Sequence, residues 1–289
     1  MRRKIDGVLL LDKPLELSSN TALQVARGIF GAAKAGHTGT LDPLASGLLP
    51  VCFGEATKYS ARMLDADKTY RAKIRLGVST TTGDAEGEIV SRCAVNVDEE
   101  RIVEVLQSFE GEIEQVPPMH SALKHKGKPL YAYIRSGVEI ARPARRVKIY
   151  RIELESGCSD ELVISVKCSK GTYVRVLAED VGKSLGCGAH LSGLVRTAVG
   201  AFSLADAHTL EELRSRGDRD GLLLPCDALL QDFARLQLDE EAAASLSCGR
   251  VVQDFSDREG LYRIYSGDRF VGLAEVDKLG TLRAKRMMS

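Results

Sequence analysis

A short glycine-rich stretch constrains this chain more than any other part of its sequence. Residues 36–47 read Gly-His-Thr-Gly-Thr-Leu-Asp-Pro-Leu-Ala-Ser-Gly. Its three glycines permit positive φ angles and its proline fixes its own φ, so the sequence predicts a loop with a defined backbone. One carboxylate, Asp42, and one imidazole, His37, lie five residues apart within this loop. We interpret it as more than a connector, with Asp42 as the candidate functional group.

Length and composition predict a folded protein of two unequal domains. The 289 residues exceed the usual size of one domain, and 44% of them are hydrophobic, enough for a substantial core. A change to short strand-like runs after Leu224-Pro225 places the predicted boundary there, with a large domain over 1–224 and a β-rich module over 225–289. The formal net charge is zero, which is unusual for a nucleic-acid-binding protein, but the basic residues are clustered in sequence.

The cysteines and the apolar runs predict the compartment. Seven cysteines are scattered along the chain without a CxxC pair or a Cys/His ligand spacing, so neither a zinc site nor a disulfide framework is indicated. Reduced cysteines are typical of cytoplasmic proteins. The apolar run Val8–Leu11 is too short for a signal peptide, and no run approaches the roughly 20 residues of a membrane helix. We therefore expect a soluble, cytoplasmic protein.

Periodicity predicts an α+β fold. Val8–Leu11 reads as a buried strand, and a capping box formed by Thr21 and Gln24 would begin a helix that runs into the glycine-rich loop. Thr69–Leu76 alternates between apolar and polar residues, as in an antiparallel sheet with one wet face, and places Tyr70 on the apolar side.

Further elements follow from the same patterns. Asp98 is placed to cap a helix, Leu162–Cys168 alternates as a strand, and a helix begins at about Tyr173. Ser266-Gly267-Asp268 reads as the turn of a hairpin. Residues 115–146, rich in proline, glycine and basic charge, read as a long surface excursion, and excursions of that length are commonly functional.

By itself, Asp42 has an ordinary interpretation, because a loop aspartate commonly forms a turn by bonding its own backbone. The absence of other catalytic motifs favours a functional interpretation of Asp42. It contains no Ser-His-Asp order, Walker loop, HExxH motif or evident carboxylate pair. An enzyme built from this sequence would therefore act through a carboxylate, an aromatic ring and cations, without a metal.

The sequence as a whole resembles the TruB family of tRNA pseudouridine synthases, in which the aspartate of the glycine-rich loop is catalytic. The resemblance extends over nearly the whole chain and is loosest in the C-terminal part. It is carried by residues 7–14, 18–20, 36–47, 54–58, 67–71, 76–77, 82–87, 117–124, 168–175 and 186–191. It implies a pseudouridine-synthase fold with a central, mainly antiparallel sheet flanked by helices and loops, and a small C-terminal PUA-like β-barrel.

The resemblance also implies the reaction. The uridine at position 55, in the T-loop of tRNA, would flip into a pocket and be isomerised to pseudouridine without a cofactor. A carboxylate beside the ribose can attack C1′ or remove a neighbouring proton, and the sequence leaves both routes open. The implied catalytic residues are Asp42, its cation Arg175, and Tyr70, which also contacts the base. His37, filling the space left by the flipped uridine, and Tyr173 and Leu194, contacting the base, would complete the substrate site.

The basic clusters would then bind the RNA backbone. In this interpretation the excursion at 115–146 is an insert that closes over the T-loop, and the C-terminal module provides a second contact with the tRNA. The insert's phosphate-binding residues would be Lys124, Lys126, Lys128, Arg142, Arg145 and Arg146. We expect the enzyme to act as a monomer, without a metal and without a membrane.

Two alternatives remain at this stage. The chain could be an RNA-folding protein that remodels tRNA with the same surface, an activity that could coexist with catalysis. It could also be a metal-free carboxylate hydrolase of small glycosides, which would require a second acid near Asp42.

Overall fold

A computed structural model describes residues 2–121, 123–134, 136–158, 160–253 and 259–289 of the chain. Two positions of the predicted insert (122 and 135) and five of the predicted C-terminal module (254–258) lie outside the described residues. The described strands are β1 (Gly7–Lys13), β2 (Ala35–His37), β3 (Ala45–Phe53), β4 (Lys68–Leu76), β5 (Val78–Thr80), β6 (Ile89–Arg92), β7 (Gly111–Gln115), β8 (Lys124–His125), β9 (Lys128–Pro129), β10 (Arg145–Cys158), β11 (Glu161–Cys168), β12 (Ala189–Val199), β13 (Phe202–Ser203), β14 (His208–Thr209), β15 (Ala234–Leu238), β16 (Gly260–Ser266), β17 (Arg269–Val276) and β18 (Leu282–Met287). The α-helices are α1 (Ser19–Phe30), α2 (Ser60–Asp65), α3 (Glu99–Ser108), α4 (Leu130–Ile134), α5 (Val174–Ser184), α6 (Leu210–Ser215) and α7 (Glu240–Ser247). Short 3₁₀ helices span Gly54–Lys58, Leu204–Asp206, Asp220–Leu222 and Cys226–Leu230.

A mixed, mainly antiparallel sheet forms the body of the molecule. Its strands follow the order β14-β1-β3-β12-β4-β11-β10-β7, with β2 paired to β3 and β13 paired to β12. The pairs β1–β14 and β3–β12 are parallel, and the other pairs of this sheet are antiparallel. The predicted α+β class and its central, mainly antiparallel sheet are therefore confirmed.

Strand β1 is buried on both faces, which explains why its sequence is a continuous apolar run. Leu9 and Leu11 pack against α1 and α6, whereas Val8 and Leu10 pack toward the C-terminal part of the chain, in a cluster that includes Leu273 of β17. The helix after β1 begins differently from the prediction. Ser18 has extended torsions (φ −66°, ψ 153°), and its Oγ accepts a hydrogen bond from the N–H of Thr21 at 3.0 Å.

The predicted capping box at Thr21 is thus wrong, because the helix already begins at Ser19 and Thr21 supplies a donor to the cap. By contrast, the predicted cap at Asp98 is confirmed, since its Oδ1 accepts from the N–H of Arg101 at 2.8 Å. Helices α3 and α5 pack on the face of the sheet that carries Ala72, Ile74 and Leu76 of β4. The alternation predicted for β4 is likewise confirmed.

The C-terminal part forms a separate small sheet of order β15-β16-β17-β18 beside α7. The hairpin predicted at Ser266-Gly267-Asp268 is confirmed: Ser266 pairs with Arg269, so Gly267 and Asp268 form a two-residue turn. Among the described residues, β15 and β18 are the edges of this sheet. The helices described here include none of the length and apolar character that crossing a bilayer requires.

Candidate active site

The glycine-rich loop is the bend of a hairpin between β2 and β3. His37 of β2 pairs with Val51 of β3, and the loop leaves β2 immediately afterwards. The prediction that α1 runs directly into this loop is wrong. Gly31, in the left-handed conformation at φ 60°, ends the helix and leaves residues 35–37 free to form β2.

Asp42 lies in an ion-pair network with Arg175 and Asp84. Nη2 of Arg175 is 3.1 Å from Oδ2 of Asp42, and Nη1 is 3.2 Å from Oδ2 of Asp84. Nη2 of Arg175 also donates to the carbonyl oxygen of His120 at 2.6 Å. The Arg175 side chain is only 7% exposed and that of Asp84 only 4%, whereas 46% of the Asp42 side chain remains exposed. Two carboxylates therefore share one buried guanidinium, and one of them is open to a ligand.

The surroundings of Asp42 act on its pKa in opposite directions. Burial raises the pKa of the carboxyl and is the largest cause, Arg175 opposes it, and the negative charge of Asp84 adds to the rise. Lys13 also favours the ionised form of Asp42. Burial in turn lowers the pKa of Lys13 to about 8. Its Nζ donates to the carbonyl oxygens of Pro14 and Leu17, at 2.7 Å each.

A pocket of about 340 Å³ opens above this network. The residues assigned by resemblance to the base and to catalysis line it together: Asp42, Tyr70, Tyr173, Arg175 and Leu194. Burial raises the pKa of the Tyr70 hydroxyl, and the neighbouring Arg196 opposes that rise. The pocket therefore combines one carboxyl group with aromatic and aliphatic walls, and its volume falls within the range of small-molecule binding sites.

His37 lies in a neighbouring cleft instead of in this pocket. The cleft has a volume of about 590 Å³ and shares Asp42 and Arg175 with the pocket. Burial lowers the pKa of His37, and the charge of Arg196 lowers it further, so the ring is neutral at physiological pH. Because the ring is planar and uncharged, it can take the place of a base in a stack without the free-energy cost of removing a charge from water.

Arg196 supports the pocket from inside the protein. It is 1% exposed, and its Nε donates to the carbonyl oxygen of Leu48 at 2.7 Å. Gly47, at φ 100°, brings β3 so close to β12 that a Cβ there would lie 2.4 Å from the Arg196 carbonyl oxygen. The last glycine of the loop motif is thus required for close strand packing as well as for its φ angle.

The basic residues assigned to the insert differ in their exposure and in the elements that carry them. Lys124, Lys126 and Lys128 are exposed on the small β8–β9 hairpin. The Arg142 side chain is mostly buried, with 19% exposed, and its Nη2 is 3.4 Å from Oε1 of Glu139. The insert is not wholly a surface excursion, because Met119, Ser121 and Leu130 are buried.

Arg145 and Arg146 are exposed, but the prediction that they belong to the excursion at 115–146 is wrong. They begin β10 and pair with Gln115 and Glu114 of β7. The excursion therefore ends before residue 145, because the chain re-enters the central sheet there.

Sequence reasoning assigned no role to Asp84, Lys13 or Arg196. Asp84 occurs in a turn that carries the family resemblance, Lys13 follows an apolar strand, and Arg196 interrupts one. For Lys13 and Arg196 the available signal was a charge beside apolar residues, since such a charge requires a partner once it is buried. The polar turn around Asp84 carries no such signal.

The chain matches three family models in succession. These are the TruB family pseudouridylate synthase N-terminal domain over residues 27–174, the tRNA pseudouridylate synthase B C-terminal domain over 175–231, and the pseudouridine synthase II TruB C-terminal model over 234–288. The chain belongs to the TruB family of pseudouridylate synthases. It is accordingly an isomerase by class.

Individual relatives agree with this assignment to the TruB family. The chain is 56% identical over 291 residues to the tRNA pseudouridine synthase B of Thiobacillus denitrificans, covering 100% of this chain and 97% of the relative. The Neisseria meningitidis serogroup B protein of the same name is 50% identical, with 100% and 96% covered. Among solved structures, a chain of a Cbf5-Nop10-Gar1 complex superposes with a TM-score of 0.74 at 27% identity, over 98% of this chain and 84% of that one. The TruB fold expected from the sequence is therefore confirmed.

Proposed function

We propose that this TruB-family enzyme converts the uridine at position 55 in the T-loop of tRNA to pseudouridine, with Asp42 as its catalytic carboxylate and without a cofactor. The observation that carries the proposal is the half-exposed carboxylate of Asp42, 3.1 Å from the buried Arg175 in a pocket of about 340 Å³. Relatives at 50–56% identity named tRNA pseudouridine synthase B support the choice of tRNA as substrate.

The residues divide the chemistry among them. The N1–C1′ bond of the uridine breaks, the uracil turns in the pocket, a C5–C1′ bond forms, and the proton on C5 leaves as N1 regains one. Asp42 must be ionised for attack on C1′ or for removal of a ribose proton, and Arg175 favours that form against the effect of burial. The Tyr70 ring stacks on the extruded base, and its hydroxyl assists transfer of the C5 proton.

The remaining pocket residues hold the extruded nucleotide. Tyr173 and Leu194 contact its base, and His37 fills the gap that the nucleotide leaves in the RNA. Flipping costs a few kcal/mol, which these contacts offset. The exposed lysines of the β8–β9 hairpin and the exposed Arg145 and Arg146 bind phosphates outside the pocket. Arg142, already beside Glu139, is the least available of the predicted phosphate contacts.

The hydrolase alternative requires a second acid free to act on the sugar. Asp84 is the neighbouring acid, but its Oδ2 is paired with Arg175 at 3.2 Å and its Oδ1 accepts from Thr82 Oγ1 at 2.5 Å and from the N–H of Glu86 at 3.1 Å. A buried carboxylate with these contacts is a fixed support for Arg175 and a poor general acid. This arrangement favours the isomerase.

We further propose that residues 225–289 form a second, PUA-like RNA-binding unit beside a catalytic unit of residues 1–224. We also propose that the enzyme acts as a monomer, since the residues assigned to catalysis and to base contact come together within one chain and need no second copy to complete the site. The seven free cysteines suit the reducing conditions of the cytoplasm, the location that we propose.

The test is to incubate the protein with an unmodified tRNA transcript and map pseudouridine at single-nucleotide resolution. We expect modification at position 55 alone, and tRNA binding without modification by Asp42→Asn. Modification at another position would contradict the proposed substrate. Full activity of Asp42→Asn would contradict the assigned catalytic residue, and binding without modification by the wild type would favour the RNA-folding alternative.

A further inference from the structure

The main chain on either side of Asp42 is held by contacts from outside the loop. Ser19, the first residue of α1, is 1% exposed and lies against Leu41. Its Oγ accepts a hydrogen bond from the N–H of Leu41 at 2.7 Å and donates to the carbonyl oxygen of the same residue at 2.9 Å. One hydroxyl thus satisfies both main-chain groups of the residue before Asp42, as a paired strand would.

The residue after Asp42 is held from a different direction. The N–H of Glu16 donates to the carbonyl oxygen of Pro43 at 2.9 Å. Glu16 has a φ of 67°, which is costly for a residue with a side chain and persists only where surrounding contacts enforce it. The loop closes on itself where the N–H of Ala45 donates to the carbonyl oxygen of Asp42 at 3.0 Å.

The hydroxyl of Ser19 is not needed to cap its helix. Ser18 already caps α1 through its bond from Thr21. A buried hydroxyl costs free energy unless it is hydrogen-bonded, and here both of its bonds go to a loop residue 22 positions away. The contact therefore serves the position of the loop, and with it the position of Asp42.

We propose that Ser19 is a positioning residue for Asp42: by clamping the main chain of Leu41 it fixes the carboxylate relative to the ribose. This inference rests on the proposed function of Asp42. Bringing reacting atoms into a near-attack arrangement accounts for large rate factors, and displacements of about 1 Å can cost about 100-fold. The clamp contributes to that arrangement without touching the substrate.

The test compares Ser19→Ala with Ser18→Ala, which removes the same atom from the adjacent residue. Each variant is assayed with saturating enzyme and tRNA transcript in a single turnover, at a temperature where circular dichroism shows it folded. For Ser19→Ala we expect the rate constant to fall by about 10- to 100-fold with the dissociation constant for tRNA within two-fold of wild type. Ser18→Ala is expected to lower the melting temperature through loss of the cap while keeping the wild-type rate.

A wild-type rate for Ser19→Ala, or a loss caused only by weaker tRNA binding, would overturn the proposal. So would an equal loss of rate in Ser18→Ala. Hydrogen exchange of the Leu41 amide in the wild-type protein gives a test that is independent of variant folding. We expect protection comparable to that of β3, and exchange at the rate of an open loop would overturn the clamp. Failure of the proposed function would appear separately, as absence of pseudouridine with the wild type or full activity of Asp42→Asn.

Discussion

Among single residues, the charge of Asp42 results from a balance between its neighbours. Burial and Asp84 favour the protonated carboxyl, whereas Arg175 and Lys13 favour the carboxylate. Because Asp84 also pairs with Arg175 at 3.2 Å, it both holds Arg175 in place and opposes ionisation of Asp42. The acid limb of the pH–rate profile should report this balance.

Removing Arg175 and removing Asp84 should shift the acid limb of the pH–rate profile in opposite directions. In Arg175→Gln the favourable charge is lost, the pKa of Asp42 rises further, and the fall in rate begins at a higher pH than in the wild type. In Asp84→Asn an unfavourable charge is lost, so the fall begins at a lower pH. Both maximal rates should also decrease, because the guanidinium is lost or less well held. Single-turnover rates from pH 4 to pH 9 measure the shifts, and shifts in the same direction would contradict this account.

The raised pKa of Asp42 has a consequence for stability. From the ordinary value of 3.8 up to the raised pKa, the folded protein binds more protons than the unfolded chain, so stability falls as the pH rises through this window. Above it, the ionised carboxylate destabilises the fold. Asp42→Asn should therefore have a higher melting temperature than wild type at pH 7, with the difference narrowing toward pH 4. A lower melting temperature at pH 7 would show that the ion pair outweighs burial.

Among the elements, β3 approaches β12 closely beside the pocket, which Leu194 and Arg196 of β12 line. Gly47, the last residue of the glycine-rich stretch, pairs with Arg196 in a parallel register. Gly47→Ala would place a Cβ 2.4 Å from the Arg196 carbonyl oxygen at a φ of 100°, so we expect a loss of about 2–4 kcal/mol in the free energy of unfolding. Gly36→Ala is the matched control, because its Cβ would meet only Thr57 at 3.9 Å. Equal effects in urea unfolding would contradict this role of Gly47.

Elements whose signals are local could be predicted from the sequence. The alternation of β4, the cap at Asp98 and the turn at Gly267 each depend on neighbouring residues, and all three are confirmed. The predicted end of the excursion and the predicted attachment of the glycine-rich loop to α1 are wrong, because both depend on pairing with distant strands.

In the candidate site, too, local features could be predicted and contacts between distant residues could not. Asp42 was singled out from its glycine-rich loop, and the family resemblance added its catalytic role and its partner Arg175. The contacts that hold this pair together are present in no local pattern. Asp84 lies 91 residues from the arginine that it binds, and Ser19 lies 22 residues from Leu41. Nothing in the spacing of these residues predicts such contacts, which arise only when the sheet and its helices assemble.

At the scale of the whole molecule, the C-terminal sheet is attached to the body. Nζ of Lys58 donates to the carbonyl oxygen of Met287 at 3.0 Å, and the Tyr59 hydroxyl donates to that of Arg286 at 3.1 Å. Leu273 of the small sheet shares a buried cluster with Val8 and Leu48 of the central sheet. The C-terminal sheet is therefore held against the central sheet by both hydrogen bonds and a shared apolar cluster.

The exposed lysines of the insert should determine much of the salt dependence of tRNA binding. Replacing Lys124, Lys126 and Lys128 together by glutamine should weaken tRNA binding. It should also reduce the slope of log affinity against log salt by about 2 to 3, because counterions are no longer released at the three lost phosphate contacts. Filter binding at several salt concentrations measures the slope.

A triple variant of equal charge loss provides the control. Lys73, Arg75 and Arg101 are paired with Glu161, Asp160 and Glu104, away from the pocket. Their replacement by glutamine should leave the slope nearly unchanged. An equal reduction in both triple variants would mean that overall charge, and not the insert, governs binding.

The most direct test of the central claim follows the hydrogen on C5 of the target uridine, which must leave when C5 bonds to C1′. With tRNA transcribed from [5-³H]uridine, saturating wild-type enzyme should release one tritium per tRNA to solvent in a single turnover. Asp42→Asn, with tRNA bound to the same extent, should release none above background. Stoichiometric release by Asp42→Asn at the wild-type rate would contradict the claim that this carboxylate performs the isomerisation.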